Sequence, residues 1–227
     1  MTTLAGVIFD FDGVIVDTEP LHYRAFQKIL EPLGLGYQWD TYLSQYLSFD
    51  DRDAFREAYR SHGRKLSGPD LELLIEHKGQ AFLDIISDGV RPYPGAIELI
   101  TEISGRCPLA ICSGALRSDI LPVLEQFGLH NTFDIIVTAE DVPASKPDPA
   151  CYRLSIERLS DVCPGRRIEP GSCIVIEDSP GGIAAARGAG LPVVGVTTTY
   201  PPDQLAGSVR IVSSLAELSL EKLASLI

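Results

Sequence analysis

Two aspartates, Asp10 and Asp12, stand two residues apart where an apolar run ends, and Gly13 follows them. In extended backbone, residues i and i+2 point to the same side, so both carboxylates can converge just past a strand's end. Gly13 permits a sharp turn and a close approach to a ligand. Two carboxylates this close repel each other unless a cation lies between them or one holds a proton. The first arrangement suits Mg²⁺, a hard cation that takes oxygen ligands, and the second makes a general acid. A calcium loop of the EF-hand kind is excluded on spacing. The places that need an acid or amide, a glycine and a glutamate hold Val14, Ile15 and Leu21.

A strand must carry such a pair, and residues 4–9 have the composition of one. From residue 94 onward, helical patterns over 94–104, 116–127, 149–159 and 181–188 alternate with apolar runs over 108–112, 133–137, 173–176, 191–196 and 209–212, and a last helix follows. Short continuous apolar strands between helices indicate an α/β fold, a parallel sheet covered on both faces. The first strand has no partner unless it joins that sheet. Residues 18–89 read as helices over 21–33, 39–47, 51–61 and 70–86, broken by Gly34, Gly36, Gly63, Gly68 and Pro69. The expected organisation is therefore a catalytic core of residues 1–17 and 90–227, with a helical cap of residues 18–89 inserted after the first strand. The connector 90–95 places Pro94 at a helix start, and two linkers let the cap act as a lid.

Ligands of open parallel sheets bind outside the C-terminal strand ends. After the second strand come Ser113 and Gly114, after the third Lys146, and after the fourth Glu177 and Asp178. Singly these are ordinary: a helix cap, a loop lysine, acids at a helix N-terminus. Together on one edge they support phosphoryl transfer. Asp10 can attack phosphorus to give an aspartyl-phosphate. Asp12 can protonate the leaving oxygen and then deprotonate water, a role worth ~10²–10⁴-fold. Mg²⁺ held by Asp10, the Asp12 carbonyl, Asp178 and Glu177 would neutralise a phosphate oxygen. Lys146 adds positive charge, and the Ser113 hydroxyl and Gly114 N–H donate to the remaining oxygens. No Walker loop or dinucleotide fingerprint is present to hold an organic cofactor.

Composition bounds the partners. A net charge of −12 over 227 residues argues against nucleic acid and anionic membrane. A small phosphorylated metabolite remains possible, because a bound cation and one lysine reverse the local field. Five cysteines form no CxxC pair and several sit in apolar runs, the pattern of reduced core residues in a cytoplasmic protein. No run is long enough to span a bilayer. A monomer is expected.

The segments VIFDFDGVIVDTEPLH, AICSGA, ASKPDP and VIEDSPGGIAAARGAG, in this order, resemble the haloacid dehalogenase superfamily over nearly the whole chain. Within it they look like the beta-phosphoglucomutase-like branch of small phosphatases and phosphosugar mutases. The resemblance implies a Rossmann-like core with an inserted helical cap. It also implies Asp10 as nucleophile, Asp12 as acid/base, Ser113 and Lys146 as phosphate ligands, and Asp178 with Glu177 at magnesium. True dehalogenases lack the second aspartate, so Asp12 points to phosphoryl transfer. A receiver domain of a signalling switch resembles the chain less, since Thr138 stands where its phospho-acceptor follows the third strand. His22 resembles a histidine that mutases use near substrate, and Lys78 is aligned more loosely with another such residue. In mutases a cap-loop arginine grips a second phosphate; the corresponding stretch 46–52 holds Phe49, Asp50 and Asp51, with Arg52 nearby. Those acids, and Glu19 in the cap's first turn, favour a phosphatase over a mutase.

Overall fold

The computed structural model describes residues 4–47 and 49–227. Strand β1 (Gly6–Phe9) is followed by helices α1 (Glu19–Leu30), α2 (Trp39–Thr41), α3 (Asp51–Ser61) and α4 (Gly68–Ile86). Then come α5 (Ala96–Ile103), β2 (Leu109–Cys112), α6 (Arg117–Gln126), β3 (Ile135–Val137), α7 (Ala150–Val162) and β4 (Cys173–Glu177). Helix α8 (Pro180–Gly188), β5 (Val193–Val196), β6 (Arg210–Val212) and α9 (Leu220–Ala224) complete the chain. All six strands run parallel in the order β3-β2-β1-β4-β5-β6. The order reverses between β1 and β4, where an open α/β sheet of this topology leaves a crevice at its C-terminal edge.

Alternation along the strands builds two cores, one on each face of this Rossmann-like sheet. Val7, Phe9, Leu109, Ile111, Ile174 and Ile176 face α5, α6 and α9, whose Leu99, Ile100, Ile120, Val123 and Leu223 join the same cluster. Ile8, Ala110, Cys112, Val175 and Val193 face the other way and meet Tyr152, Leu159, Ile183 and Ala186 of α7 and α8. Strands buried on both faces read as continuous apolar runs, and this explains their legibility. Phe9 is wholly buried; truncating such a ring costs about 3–5 kcal/mol.

The helices between β1 and α5 carry a third cluster of their own, built on Phe26, Leu30, Tyr42, Tyr46, Phe55 and Leu71. Several expectations change here. The 39–47 helix is one α turn, after which the chain widens into a π turn over Tyr42–Tyr46, closed by the Leu47 N–H on the Tyr42 carbonyl at 3.0 Å. Stacked aromatics favour the wider turn: Tyr37 on Tyr46 at 4.1 Å and Trp39 on Tyr42 at 5.3 Å. The 21–33 helix starts at Glu19 and passes into a 3₁₀ turn over Glu31–Leu33, because Pro32 has no N–H to continue it. Gly68 and Pro69 open α4 rather than break it; Ser67 caps it by accepting the Asp70 N–H at 3.2 Å. Pro94 precedes α5, whose cap is Gly95.

The incoming and outgoing chains of this helical segment are paired. Val16 bridges Pro92 in antiparallel sense, the Tyr93 N–H donates to the Ile15 carbonyl at 2.9 Å, and the Asp17 N–H to the Arg91 carbonyl at 3.3 Å.

Candidate active site

Sheet register sets the site. Phe9 pairs with Ile111 on one side and Ile176 on the other, so Asp10, Cys112 and Glu177 follow at one level. Asp10 donates its N–H to the Ile176 carbonyl at 2.9 Å, which pins it at the crevice. Two glycines let the acids approach. Gly13 has φ of 78°, and a Cβ there would meet Asp178 Oδ2 at 2.0 Å. A Cβ on Gly182 would lie 1.5 Å from Glu177 Oε1.

Lys146 lies between the acids. Its Nζ is 3.0 Å from Asp10 Oδ1, 2.8 Å from Glu177 Oε1 and 3.0 Å from the Cys112 carbonyl. Glu177 has both oxygens engaged. Oε1 also accepts from the Tyr152 hydroxyl at 3.1 Å, and Oε2 takes the N–H groups of Asp178 and Ser179 and the Ser179 hydroxyl. Burial alone would raise the Glu177 carboxyl, but Lys146 and these donors hold it below its ordinary value. Asp10 and Asp178 lack such support. Burial, together with the other charges of the cluster, pushes both well above the usual carboxylate range, with Lys146 only partly offsetting this at Asp10.

That imbalance fits a metal. Asp10, Glu177 and Asp178 each offer a carboxylate oxygen, all within 4.8 Å of one another, and the donor set is entirely hard oxygen. A divalent cation there would remove the cost of three buried charges facing one lysine.

Asp12 faces the helical segment. Thr18 donates its hydroxyl to Asp12 Oδ1, and His22 Nε2 is 3.4 Å from the same oxygen. Lys78 Nζ lies 2.9 Å from His22 Nδ1, which therefore accepts, and Nε2 carries the proton toward Asp12. Burial would raise Asp12, but the His22 and Thr18 bonds bring it below its ordinary value. Lys78 is fully buried and also pairs with Asp51 at 2.9 Å and Asp119 at 3.3 Å. Asp119 belongs to α6 and Lys78 to α4, so the pair joins the helical segment to the sheet's own helices.

The cleft over these groups holds about 120 Å³ and is lined by Asp10, Asp12, His22, Gly114, Lys146 and Asp178, together with Glu19, Tyr42, Phe49 and Asp51. Ser113 is not on this wall. Its Oγ accepts the Ala115 N–H at 2.9 Å, and the residue lines an adjoining recess with Gly114 and Lys146. Arg52 also faces that recess, donating to Asp50 Oδ2 at 3.0 and 2.7 Å and to the Ala139 carbonyl at 3.1 Å. Of the 46–52 stretch, Ser48 lies outside the described residues. Thr18, Tyr42, Asp119 and Tyr152 escaped sequence reasoning as contacts of the site, whereas Asp51, singled out in the 46–52 stretch, does line the cleft. Thr18 had a signal in its place beside the first strand's turn; Asp119, one acid on an ordinary helix, had none.

A family model described as haloacid dehalogenase-like hydrolase matches residues 7–196. Fructose-1-phosphate phosphatase YqaB of Escherichia coli K12 is 31% identical over 192 residues, 85% of this chain and 96% of that protein. CbbY from Rhodobacter sphaeroides, solved in complex with phosphate, superposes with a TM-score of 0.84 at 25% identity, covering 95% of this chain and 96% of that one. Beta-phosphoglucomutase of Clostridium difficile shares the fold with the same TM-score at 24% identity, over 98% and 96% of the two chains.

Proposed function

Since the chain belongs to the haloacid dehalogenase-like hydrolase family and is a phosphoric monoester hydrolase, we propose that it hydrolyses a small phosphorylated metabolite of the sugar-phosphate kind with Mg²⁺. The single observation that carries this reading is the convergence of Asp10, Glu177, Asp178 and Lys146 at the β1/β4 crevice. Mg²⁺, held by Asp10, Asp178, Glu177 and the Asp12 carbonyl, would supply the positive charge that lets a phosphate dianion approach these acids. Asp10 attacks phosphorus and the bond to the leaving oxygen breaks; Asp12, ionised at rest, takes up a proton from solvent as the phosphate dianion enters and delivers it to that oxygen. Asp12 then takes a proton from a water molecule. The water oxygen attacks the aspartyl-phosphate, releasing inorganic phosphate and restoring Asp10. Lys146 stays charged throughout, because Asp10 and Glu177 outweigh its burial.

A mutase would keep its aspartyl-phosphate for a second substrate hydroxyl and hold a second phosphate in the cap. The arrangement of Arg52, turned onto Asp50 and the Ala139 carbonyl, supports the hydrolytic reading. The test supplies β-glucose 1-phosphate with a trace of the 1,6-bisphosphate, and in parallel a panel of sugar and polyol monophosphates, each with Mg²⁺ and with excess chelator. Phosphate release that stops with chelator and returns with Mg²⁺ is expected. Rapid accumulation of glucose 6-phosphate with little free phosphate would replace hydrolase by mutase.

A further inference from the structure

Cys112 ends β2 and Cys151 stands in the first turn of α7, and both are buried in the core on one face of the sheet. The Cys112 thiol donates to the Cys151 sulfur, and the Cys151 thiol donates in turn to the Asp148 carbonyl at 3.9 Å. Ser155, one turn further along α7, donates to the Cys151 carbonyl at 2.9 Å and reaches the Cys112 thiol as well. Cys151 lines the recess that also holds Arg52, Ser113, Gly114 and Lys146, whereas Cys112 is wholly buried. Asp50, Gly114, Ser145 and Lys146 line both that recess and the cleft, so a small molecule in the cleft has a path to Cys151.

A thiol buried among apolar groups is ordinarily inert. Burial pushes Cys107, Cys163 and Cys173 above their ordinary values, and they fit that description. Cys151 goes the other way: the Cys112 hydrogen bond, with Lys146 beyond it, outweighs burial and draws the thiol below its ordinary value. We propose that Cys112 and Cys151 are a modification site, a dithiol that a hydroperoxide closes to a disulfide, tying the turn that carries Lys146. The Cys151 thiolate attacks one peroxide oxygen and the O–O bond breaks. The other oxygen leaves as water or an alcohol, with the proton the thiol gave up. The Cys112 sulfur then attacks the sulfenic sulfur of Cys151, the S–O bond breaks, and the hydroxide leaves as water with the Cys112 proton. The two thiols give up two electrons and the hydroperoxide takes them. Lys146 is held from both members of the pair. Its Nζ donates to the Cys112 carbonyl at 3.0 Å, and its backbone runs through the turn 147–150 into Cys151. A covalent bond draws the first turn of α7 onto the end of β2, so that turn shifts and Lys146 leaves its place 3.0 Å from Asp10.

The test uses the folded protein. Wild type is treated with hydrogen peroxide, the peroxide is removed with catalase, and the remaining thiols are alkylated. Cysteine pairing is then mapped by mass spectrometry of the peptides. The expected product is a Cys112–Cys151 disulfide, with Cys107, Cys163 and Cys173 recovered as alkylated thiols. In the oxidised protein kcat/KM for a sugar monophosphate is expected to fall at least about tenfold, and dithiothreitol is expected to restore it. Cys151→Ser is expected to turn over like reduced wild type and to keep that rate through peroxide; Cys151→Ala takes its place if the serine variant does not fold. Pairing of other cysteines, or no pairing, overturns the inference. So does a disulfide that leaves turnover unchanged, or an equal loss in the Cys151 variant. Pairing is read without turnover: a reduced wild type that releases no phosphate overturns the phosphatase reading, and the peptide map then decides the site by itself.

Discussion

The sheet edge and the helical segment above it handle buried charge in opposite ways. At the edge, Asp10, Asp178 and Glu177 face one lysine, and two of the three carboxyls are pushed well above their usual range by burial and by one another. In the helical segment nearly every buried charge has its partner: Lys78 with Asp51 and Asp119, Arg52 with Asp50, and His22 between Lys78 and Asp12. An unbalanced cluster is destabilising until a ligand completes it, so it marks the place where chemistry enters. A balanced network holds parts together and orients them. Glu19 is the exception in the helical segment, bonded to the Tyr42 hydroxyl with no ion-pair partner among the described residues.

This contrast can be broken most sharply at Asp10. Asp10→Asn is expected to lower kcat by more than about 10³-fold, since the proposed nucleophile is gone, while the melting temperature stays level or rises because a buried, crowded charge is removed. Asp12→Asn should lose ~10²–10⁴-fold with Mg²⁺ binding kept, because the proposed ligand there is the backbone carbonyl. Steady-state kinetics with thermal melts check both variants. A large fall in stability for Asp10→Asn would show that the edge is balanced after all.

Lys78→Met should behave the other way. It leaves Asp51 and Asp119 buried without their cation and removes the donor to His22, at a cost of about 3–5 kcal/mol and a melting point lower by roughly 10 °C. The pH–rate profile adds a second readout. Without the Lys78 donor, His22 loses the bond that fixes its proton on Nε2, and Asp12 loses support for its ionised form. Asp12 acts first as an acid, so the basic limb of the profile, where its proton is lost, is expected to move to higher pH. Unchanged melting and an unchanged profile would mean that the network neither braces the fold nor orients Asp12.

The smallest effect belongs to a paired acid away from the cleft. Asp141 bonds Arg117, Arg158 and the Thr138 hydroxyl and N–H. Burial opposes ionisation, but the Arg158 and Thr138 bonds win and hold the carboxyl at about 2. Its folded value lies below the unfolded one, so its contribution is complete above about pH 4 and is lost as pH falls from about 4 to 2. Both arginines are partly exposed, so solvent screening leaves about 1–2 kcal/mol. Denaturant titrations of wild type and Asp141→Asn should differ by that amount at pH 7 and converge near pH 2.

Legibility in the sequence followed the same division. Strands buried on both faces read as apolar runs, and the residues after each run were already the site: Asp10, Gly114, Lys146, Glu177 and Asp178 converge because register places strand ends at one level. The helical segment resisted because its decisive features are not periodic. A π turn has no sequence period of its own, and the bond from Tyr42 to Glu19 spans 23 residues. Asp119 and Asp51 are single acids on helices whose partner, Lys78, lies on a third. Ser113 was readable from its position after β2; its Oγ accepts the Ala115 N–H, which leaves its O–H free to donate, and it lines the recess shared with Gly114 and Lys146.

The paired neck at Val16 and Pro92 has a consequence for how such a chain can change. The two ends of the helical segment leave the sheet side by side, hydrogen-bonded in antiparallel sense, where a short hairpin turn would close them. The segment between them can change without shifting the register of β1 against β2 and β4, provided that Ala25, Ala81, Phe82 and Ile86, which join the core on one sheet face, keep their apolar contacts. The neck acts as a splice point: Asp10, Lys146, Glu177 and Asp178 stay with the sheet, while Tyr42 and Asp51 travel with the segment between the two ends.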